Sequence, residues 1–429
     1  MSEMNKKQQY HVCCRLAAWA VIAIGLGQLA AIQSARADDD IDDGQPVWSF
    51  GGFGSVGVVH SDERQADFST TILKASGAGF SRPWSVDVDT RLGAQLGVKL
   101  DAQWSAVVQV ISEQSVEHSY APIVEWANIK YQATPDLSVR IGRIALPLLL
   151  AADYRKAAYA FPWVRTPVEL YGAIPISNSD GIDVNYRWNF GPIKNMTQVS
   201  YGNTHAKLSH LQSADGRALI GISNTFDYHA LSVRASLLNT GMTVEATQPF
   251  FAAFRQFGAQ GIALADQYDI DHKHAQVIGI GANYDPGNWF LMGELGRMRT
   301  KSFLGDRTAL YVSAGYRFGN LTPYVVYAQS RANSNRSDPG LTLAGLPPAM
   351  LGTAMVLNGG LNRLIGSIAI QQSASAGARW DVAPNIALKL QYDRVRPQSG
   401  SSGMFINVQP GFRSGVAVNV VSAVLDFVY

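Results

Sequence analysis

The sequence predicts an all-β protein, a transmembrane antiparallel β-barrel of about sixteen strands with long extracellular loops. Three observations predict it. Apolar and polar residues alternate over segments of roughly 9 to 11 residues, the length of a tilted strand crossing a bilayer. Aromatic residues gather at strand ends beside turns, and the connections alternate between tight turns and long hydrophilic stretches.

Composition agrees with this class. Of 429 residues, 47% are hydrophobic, 10% aromatic and only 16% charged, where soluble globular chains carry roughly 25% charged residues. Forty glycines point to turns and strands rather than helix bundles.

The first 37 residues read as a secretory signal and are set apart from the barrel, residues 38–429. Lys6, Lys7 and Arg15 form a positive start, Leu16 to Ile32 is apolar, and Ala35-Arg36-Ala37 is a small-residue cleavage site followed by acidic DDDIDD. The alternative is an uncleaved anchor, because the apolar run approaches spanning length. Cys13 and Cys14 both precede the cut, so the exported chain has no cysteine. That excludes a disulfide framework, a thiol nucleophile and a zinc-thiolate site. Cleavage leaves 31 basic and 32 acidic residues, near neutrality, so nothing favours nucleic acid as a partner.

Strands are expected near 47–60, 90–101, 103–113, 123–133, 136–144, 179–188, 195–204, 216–227, 230–240, 274–284, 288–299, 307–318, 321–331, 371–380, 385–395 and 415–429. In the second, Leu92, Ala94, Leu96, Val98 and Leu100 share one face against Arg91, Gln95, Lys99 and Asp101, a period of two. The sixth sets Ile182, Val184, Tyr186 and Trp188 against Asp183, Asn185 and Arg187. The ninth sets Leu231, Val233, Ala235 and Leu237 against Ser232, Arg234 and Ser236. Ala374, Ala376, Ala378 and Trp380 oppose Ser375, Gly377 and Arg379, and Ile386, Leu388, Leu390 and Tyr392 oppose Lys389, Gln391 and Asp393. The last segment places Val421, Ala423, Leu425, Phe427 and Tyr429 opposite Ser422 and Asp426.

A soluble sandwich also alternates, but its aromatics would lie in strand centres. Here Trp104, Tyr131, Trp188, Tyr284, Trp289 and Trp380 border turns, as an interfacial girdle requires. Backbone groups in hydrocarbon must all be paired, so the sheet has to close. Sixteen strands leave a water-filled channel where eight would be filled by side chains.

With the signal, the strand count, the polar lumen faces and the terminal aromatic in place, the chain resembles the Gram-negative outer-membrane porins. The stretch VEWANIKYQATPDLSVRIGRIALP, Val124 to Pro147, is similar to their fourth and fifth strands. The resemblance spans essentially the exported chain, although the acidic PEF-type signature of the general porins is absent from the third extracellular loop. It implies a homotrimer with passive diffusion through each subunit, set among outer-membrane lipid and lipopolysaccharide. It also implies that Leu425, Phe427 and Tyr429 form the terminal signal read by the barrel-assembly machinery.

The connection ALPLLLAADYRKAAYAFPWVRTPVELYGAIP, Ala145 to Pro175, is unusually apolar for a loop exposed to water. By position it is similar to the constriction loop that folds into the lumen of porins; a loop packed at a subunit interface is the other reading. Fixed charges in a narrow opening select ions. The basic candidates are Arg91, Lys99, Lys130, Arg140, Arg187, Arg234, Arg317, Arg379 and Lys389, with Arg155 and Lys156 from the loop. The acidic candidates are Asp183, Glu294 and Asp393, with Asp153 and Glu169 from the loop. The balance favours anions, or a field between a basic wall and an acidic loop.

No catalytic trio stands out, and GISNT lacks the second glycine of a nucleophile elbow. His272 and His274 form an H-x-H pair at a strand's loop end, read as solvated rim histidines, so no metal or cofactor is expected. Thr247 to Asp271 carries four phenylalanines at helical spacing, which predicts a short amphipathic helix over the mouth or at a trimer contact. Arg331 to Ser367 begins as surface loop and continues into a second lumen or cap segment. The function expected is passive diffusion of small hydrophilic solutes, with a substrate-specific channel and a plugged anchor or adhesin as alternatives.

Overall fold

In lipid a strand needs an apolar outer face and a partner on each edge, and the sequence supplies both all the way round. A computed structural model describes residues 46–429 apart from positions 173, 175, 210, 211 and 399; the expected signal and its cut at Ala35 and Ala37 lie outside the described residues. The barrel strands are β1 (Val47–Ser61), β2 (Arg91–Lys99), β3 (Trp104–Glu113), β4 (Ile123–Gln132), β5 (Leu137–Ala145), β6 (Asn178–Phe190), β7 (Ile193–Ser209) and β8 (Gln212–Tyr228). They continue as β9 (Leu231–Val244), β10 (Lys273–Tyr284), β11 (Trp289–Thr300), β12 (Asp306–Tyr316), β13 (Leu321–Ala332), β14 (Gln371–Ala383), β15 (Ile386–Pro397) and β16 (Val418–Val428). Every one of the sixteen expected segments is a strand. Each pairs antiparallel with its sequence neighbours, and β1 also pairs with β16, Phe53 opposite Val428, so the sheet has no free edge.

The two faces sort as the alternation predicts. Leu92 and Leu96 point outward and are each 46% exposed in the isolated chain, whereas Asp426 and Ser422 of the closing strand point inward and are fully buried. Trp104, Trp188, Tyr284, Trp289 and Trp380 all lie on the outer surface beside the short turns. Trp48, Phe190 and Phe318 extend this belt without having been singled out in the sequence. Among the described residues, no helix is long and apolar enough to cross a membrane; the chain crosses with strands.

Strand length departs furthest from expectation at one hairpin. β7 and β8 each run 17 residues and leave only positions 210 and 211 between them, where a longer loop was expected. The added residues carry a polar outer face, Asn203, His205 and Lys207, with Ala206 and Leu208 inward. A hairpin that rises beyond the hydrocarbon needs no lipid-facing apolar pattern, which is why that signal was missing.

The expected single amphipathic helix is two, α2 (Gln248–Arg255) and α3 (Gly258–Tyr268). Phe251 and Phe254 are buried from them against Leu357, Leu361 and Ile365 of α4 (Pro348–Gly366), the second half of the Arg331–Ser367 segment. Val244, Leu208 and Ala214 at the tops of β9, β7 and β8 complete this core, so the helices cap the inner side of the tall wall. On the opposite side the β1–β2 loop and the β15–β16 loop lock together. Asp67 and Ile406 exchange backbone hydrogen bonds at 2.8 and 3.0 Å, and the buried Asp67 carboxylate accepts from Ser81 and Asn407.

Candidate functional site

The connection from β5 to β6 turns into the barrel. Gly142, three residues before the end of β5, has φ +127°, and a Cβ there would stand 2.2 Å from the Ala127 carbonyl oxygen. Beyond it Leu148, Leu149, Phe161, Trp163, Leu170 and Tyr171 are buried against lumen-facing Leu219, Leu238, Val277, Tyr311, Tyr324 and Val326. The apolar character of the loop is thus the character of a segment with a second core to join. Its α-helical turn, α1 (Val168–Tyr171), packs toward β12 and β13.

Polar bonds fix the loop along one side. Arg234 on β9 donates to the Leu149 carbonyl at 2.8 Å, and Ser236 donates to Leu148. Glu294 on β11 accepts from the Leu150 amide at 2.8 Å and from the hydroxyls of Tyr171 and Tyr311. The Trp163 indole donates to Ser313 on β12 at 2.7 Å. Arg379 on β14 donates to the carbonyls of Tyr159 and Phe161, at 2.5 and 3.1 Å. Lys389 on β15 donates to those of Ala158 and Trp163, at 2.7 and 2.9 Å, while it pairs with Asp426 at 2.6 Å. Arg155 stays within the loop, donating to the carbonyls of Tyr171, Ile174 and Ile176.

Arg165 is the centre of this clasp. Its guanidinium donates to Asp89 at 2.9 and 2.6 Å, to Asp393 on β15 at 2.9 Å and to Ser422 on β16 at 2.5 Å, all buried. Burial opposes its charge, but Asp89 and then Asp393 more than offset that, holding its pKa above the ordinary arginine value. Four residues on, Glu169 accepts from Gln371 at 2.7 Å; burial pushes its carboxyl up from the usual range. Lys156 crosses to Glu113 at the end of β3, which also stands 3.8 Å from Arg91. Lys74 from the β1–β2 loop joins this charge cluster, its ammonium lowered to about 8 by burial and donating to the Asp87 carbonyl at 2.8 Å.

The wall across from the clasp is different. Register places Lys130 opposite Arg140, and Arg140 opposite Asp183, in one row over β4, β5 and β6. Arg140 grips Asp183 at 3.0 and 2.5 Å, with Gln198 and Asn185 adding donors to the same carboxylate. Lys130 and Arg187 have no carboxylate partner among the described residues, and Lys99 is exposed on β2. No side chain of β4 to β6 takes a hydrogen bond from the loop among the described residues. The loop edge carries Asp153, 3.9 Å from Arg234, with its charge felt at Arg140. Arg317 lies apart, paired with Asp285 at 2.6 Å beside the short β10–β11 turn.

The structure therefore splits the candidate charges into two groups. Arg155, Lys156, Glu169, Arg234, Glu294, Arg379, Lys389 and Asp393 hold the loop, with Arg91 beside them; Lys99, Lys130, Arg140, Asp183 and Arg187 line the wall that the loop leaves open, and Asp153 faces them. Asp89 escaped the sequence reading, and Ser422 and Gln391, which accepts from the Val164 amide at 3.2 Å, stood there only as polar-face residues with no role in the loop. Asp89 sits in a connection rather than in an alternating strand, so periodicity could not mark it. Arg165 was visible only as one more charge in an apolar loop. His272 and His274 are exposed at the rim, and no cluster of metal-ligating side chains occurs among the described residues.

A family model described as Gram-negative porin matches residues 18–401. No curated protein sequence matches the chain. Among solved structures, the outer membrane channel DcaP of Acinetobacter baumannii superposes with a TM-score of 0.54 at 11% identity, over 90% of this chain and 99% of that one. OmpF of Salmonella typhi, in complex with daunomycin, gives 0.52 at 14% identity over 89% and 97%. The anion-selective porin from Comamonas acidovorans gives 0.52 at 13% identity over 90% and 100%. At such identities the likeness is one of fold.

Proposed function

The chain belongs to the Gram-negative porin family and is an outer-membrane channel, and on that premise we propose that it passes small hydrophilic solutes by passive diffusion with a preference for anions. The observation that carries the preference is the open wall: Lys99, Lys130, Arg140 and Arg187 project from β2, β4, β5 and β6, and among the described residues the one carboxylate that pairs with any of them is Asp183, held by Arg140. A solute squeezed between this wall and the loop edge sheds part of its water. Fixed cations in a partly desolvated opening favour negative ions over positive ones. Asp153 on the loop edge makes the field transverse, so a dipolar solute is oriented as it enters.

Transport of this kind needs no catalysis, and the lumen acids serve the loop: Glu294, Asp393 and Glu169 accept hydrogen bonds from it or from its neighbours. We also propose cleavage after Ala37 and assembly as a homotrimer, with Leu425, Phe427 and Tyr429 as the terminal signal for barrel insertion. Outer-membrane lipid and lipopolysaccharide would surround the aromatic belt.

The diffusion reading is tested by single-channel recording in planar bilayers. Ohmic steps whose size scales with bulk electrolyte conductivity support a general pore. Small steps blocked by one solute class favour a specific channel, and the absence of steps rejects both. Amino-terminal sequencing of the exported protein should begin at Asp38. Unheated electrophoresis should give a band of three subunits that collapses to one on boiling.

A further inference from the structure

The loop edge exposes an aromatic ring that no part of the clasp requires. Tyr154 is 41% exposed although two buried alanines stand just before Asp153, and this neighbouring Asp153 lies 3.9 Å from Arg234 with its charge felt at Arg140 of the basic wall. The ring is not loose. It stacks on Phe161 at a centroid distance of 5.1 Å and 22°, Phe161 stacks on Trp163 at 5.6 Å and 11°, and Trp163 meets Tyr311 edge-on at 5.6 Å. Trp163 is in turn fixed by Ser313. The backbone at Tyr154 is held by tight turns on both sides, its amide donating to Ala151 at 3.1 Å and its carbonyl accepting from Ala157 at 2.9 Å.

One face of Tyr154 is thus covered by a rigid stack and the ring remains open on the lumen side. A solvated eyelet that only selects charge has no use for a preorganised ring face, since an exposed aromatic in a polar opening exchanges good hydration for none. The combination has a chemical meaning when a solute brings both a ring and a charge. A planar ring stacks on tyrosine, and its carboxylate turns to the unpaired cations of the facing wall.

We propose that Tyr154, backed by Phe161, forms together with the wall cations Lys130 and Arg187 a binding site for aromatic carboxylates within the channel. The inference rests on the anion-preferring pore proposed above and adds the class of solute it retains. The ring lowers the off-rate for planar acids, and the cations reject neutral and cationic aromatics. Binding is weak enough for release, because one stacked ring and one partly screened charge pair are the only attractions.

The test compares sodium benzoate with sodium cyclohexanecarboxylate as blockers of chloride current through the full-length channel in planar bilayers. The two acids match in charge and nearly in size, and differ in the planar ring. The expected result is half-block at a concentration roughly threefold to tenfold lower for benzoate, the range an aromatic pair adds beyond area burial. Tyr154→Leu should remove that ratio, and Tyr154→Phe should keep it, with assembly of each variant verified by its unheated electrophoretic mobility. Anion-selective current blocked equally by both acids overturns the site and leaves the pore reading intact. A wild-type ratio that survives in Tyr154→Leu also overturns it. A wild-type channel that carries cations instead would overturn the pore reading on which the site rests.

Discussion

Lys389 and Asp426 face each other at 2.6 Å across the last two strands, and neither side chain is exposed. The lysine does not project into free water. It also donates to two carbonyls of the lumen loop, while Ser55 on the first strand donates to the aspartate at 2.6 Å. Barrel closure and loop placement are therefore secured by one cluster, spanning β15, β16, β1 and the loop. Removing one partner strands a buried charge, a loss of roughly 3–5 kcal/mol for a fully enclosed pair. Asp426→Asn should lower the thermal midpoint of the folded barrel, read by loss of heat-modifiable mobility. An unchanged midpoint would remove this cluster from the closure argument.

Arg165 makes the same case for the loop. Replacement by methionine keeps volume but leaves Asp89 and Asp393 without their cation, and the cost should be of the same order. Because the loop's other bonds remain, the barrel should still form while the loop gains freedom. Single-channel traces of Arg165→Met should show larger open-state noise than wild type and a higher mean conductance. Quiet traces of wild-type size would mean that the clasp is dispensable.

Glu169 gives a pH dependence whose sign is fixed by its burial. Its folded pKa stands above the unfolded value, so its contribution is fully present at low pH and declines as pH rises through the folded value. Stability should therefore fall as pH is raised from 4 to 8. Glu169→Gln keeps an acceptor for Gln371 without the charge. That variant should be the more stable one at pH 8 and match wild type at pH 4; equal stability at both values would place Glu169 in a wetter setting than its contacts indicate.

Deleting Tyr429 should reduce the amount of barrel in the outer membrane, measured by membrane fractionation, as should a charged extension after it. Undiminished assembly would undercut the terminal-signal reading of Leu425, Phe427 and Tyr429.

The strands were legible because lipid imposes a rule on them. Each residue from Leu92 to Leu100 faces hydrocarbon or lumen in turn, and that alternation is printed in the sequence. The same rule is silent above the membrane, which hid the upper part of the β7–β8 hairpin around His205 and Lys207. The lumen loop was legible through its excess of leucine and aromatic residues. Its clasp was not, because Arg165 meets Asp89, Asp393 and Ser422 from positions 76, 228 and 257 residues away. No local pattern records such a meeting. Arg234, Arg379 and Lys389 were expected to select ions from a polar lumen face, and they are donors to loop carbonyls.

Reversal potential in a potassium chloride gradient is the most direct test of the central claim, that the wall bearing Lys130, Arg140 and Arg187 sets the selectivity of this channel. The wild-type channel should reverse on the chloride side of zero. The double variant Lys130→Glu with Arg187→Glu should move toward potassium by about fivefold per charge in permeability ratio, the effect of a screened interaction of ~1 kcal/mol. A wild-type channel that reverses on the potassium side, or a double variant that does not shift, would contradict it.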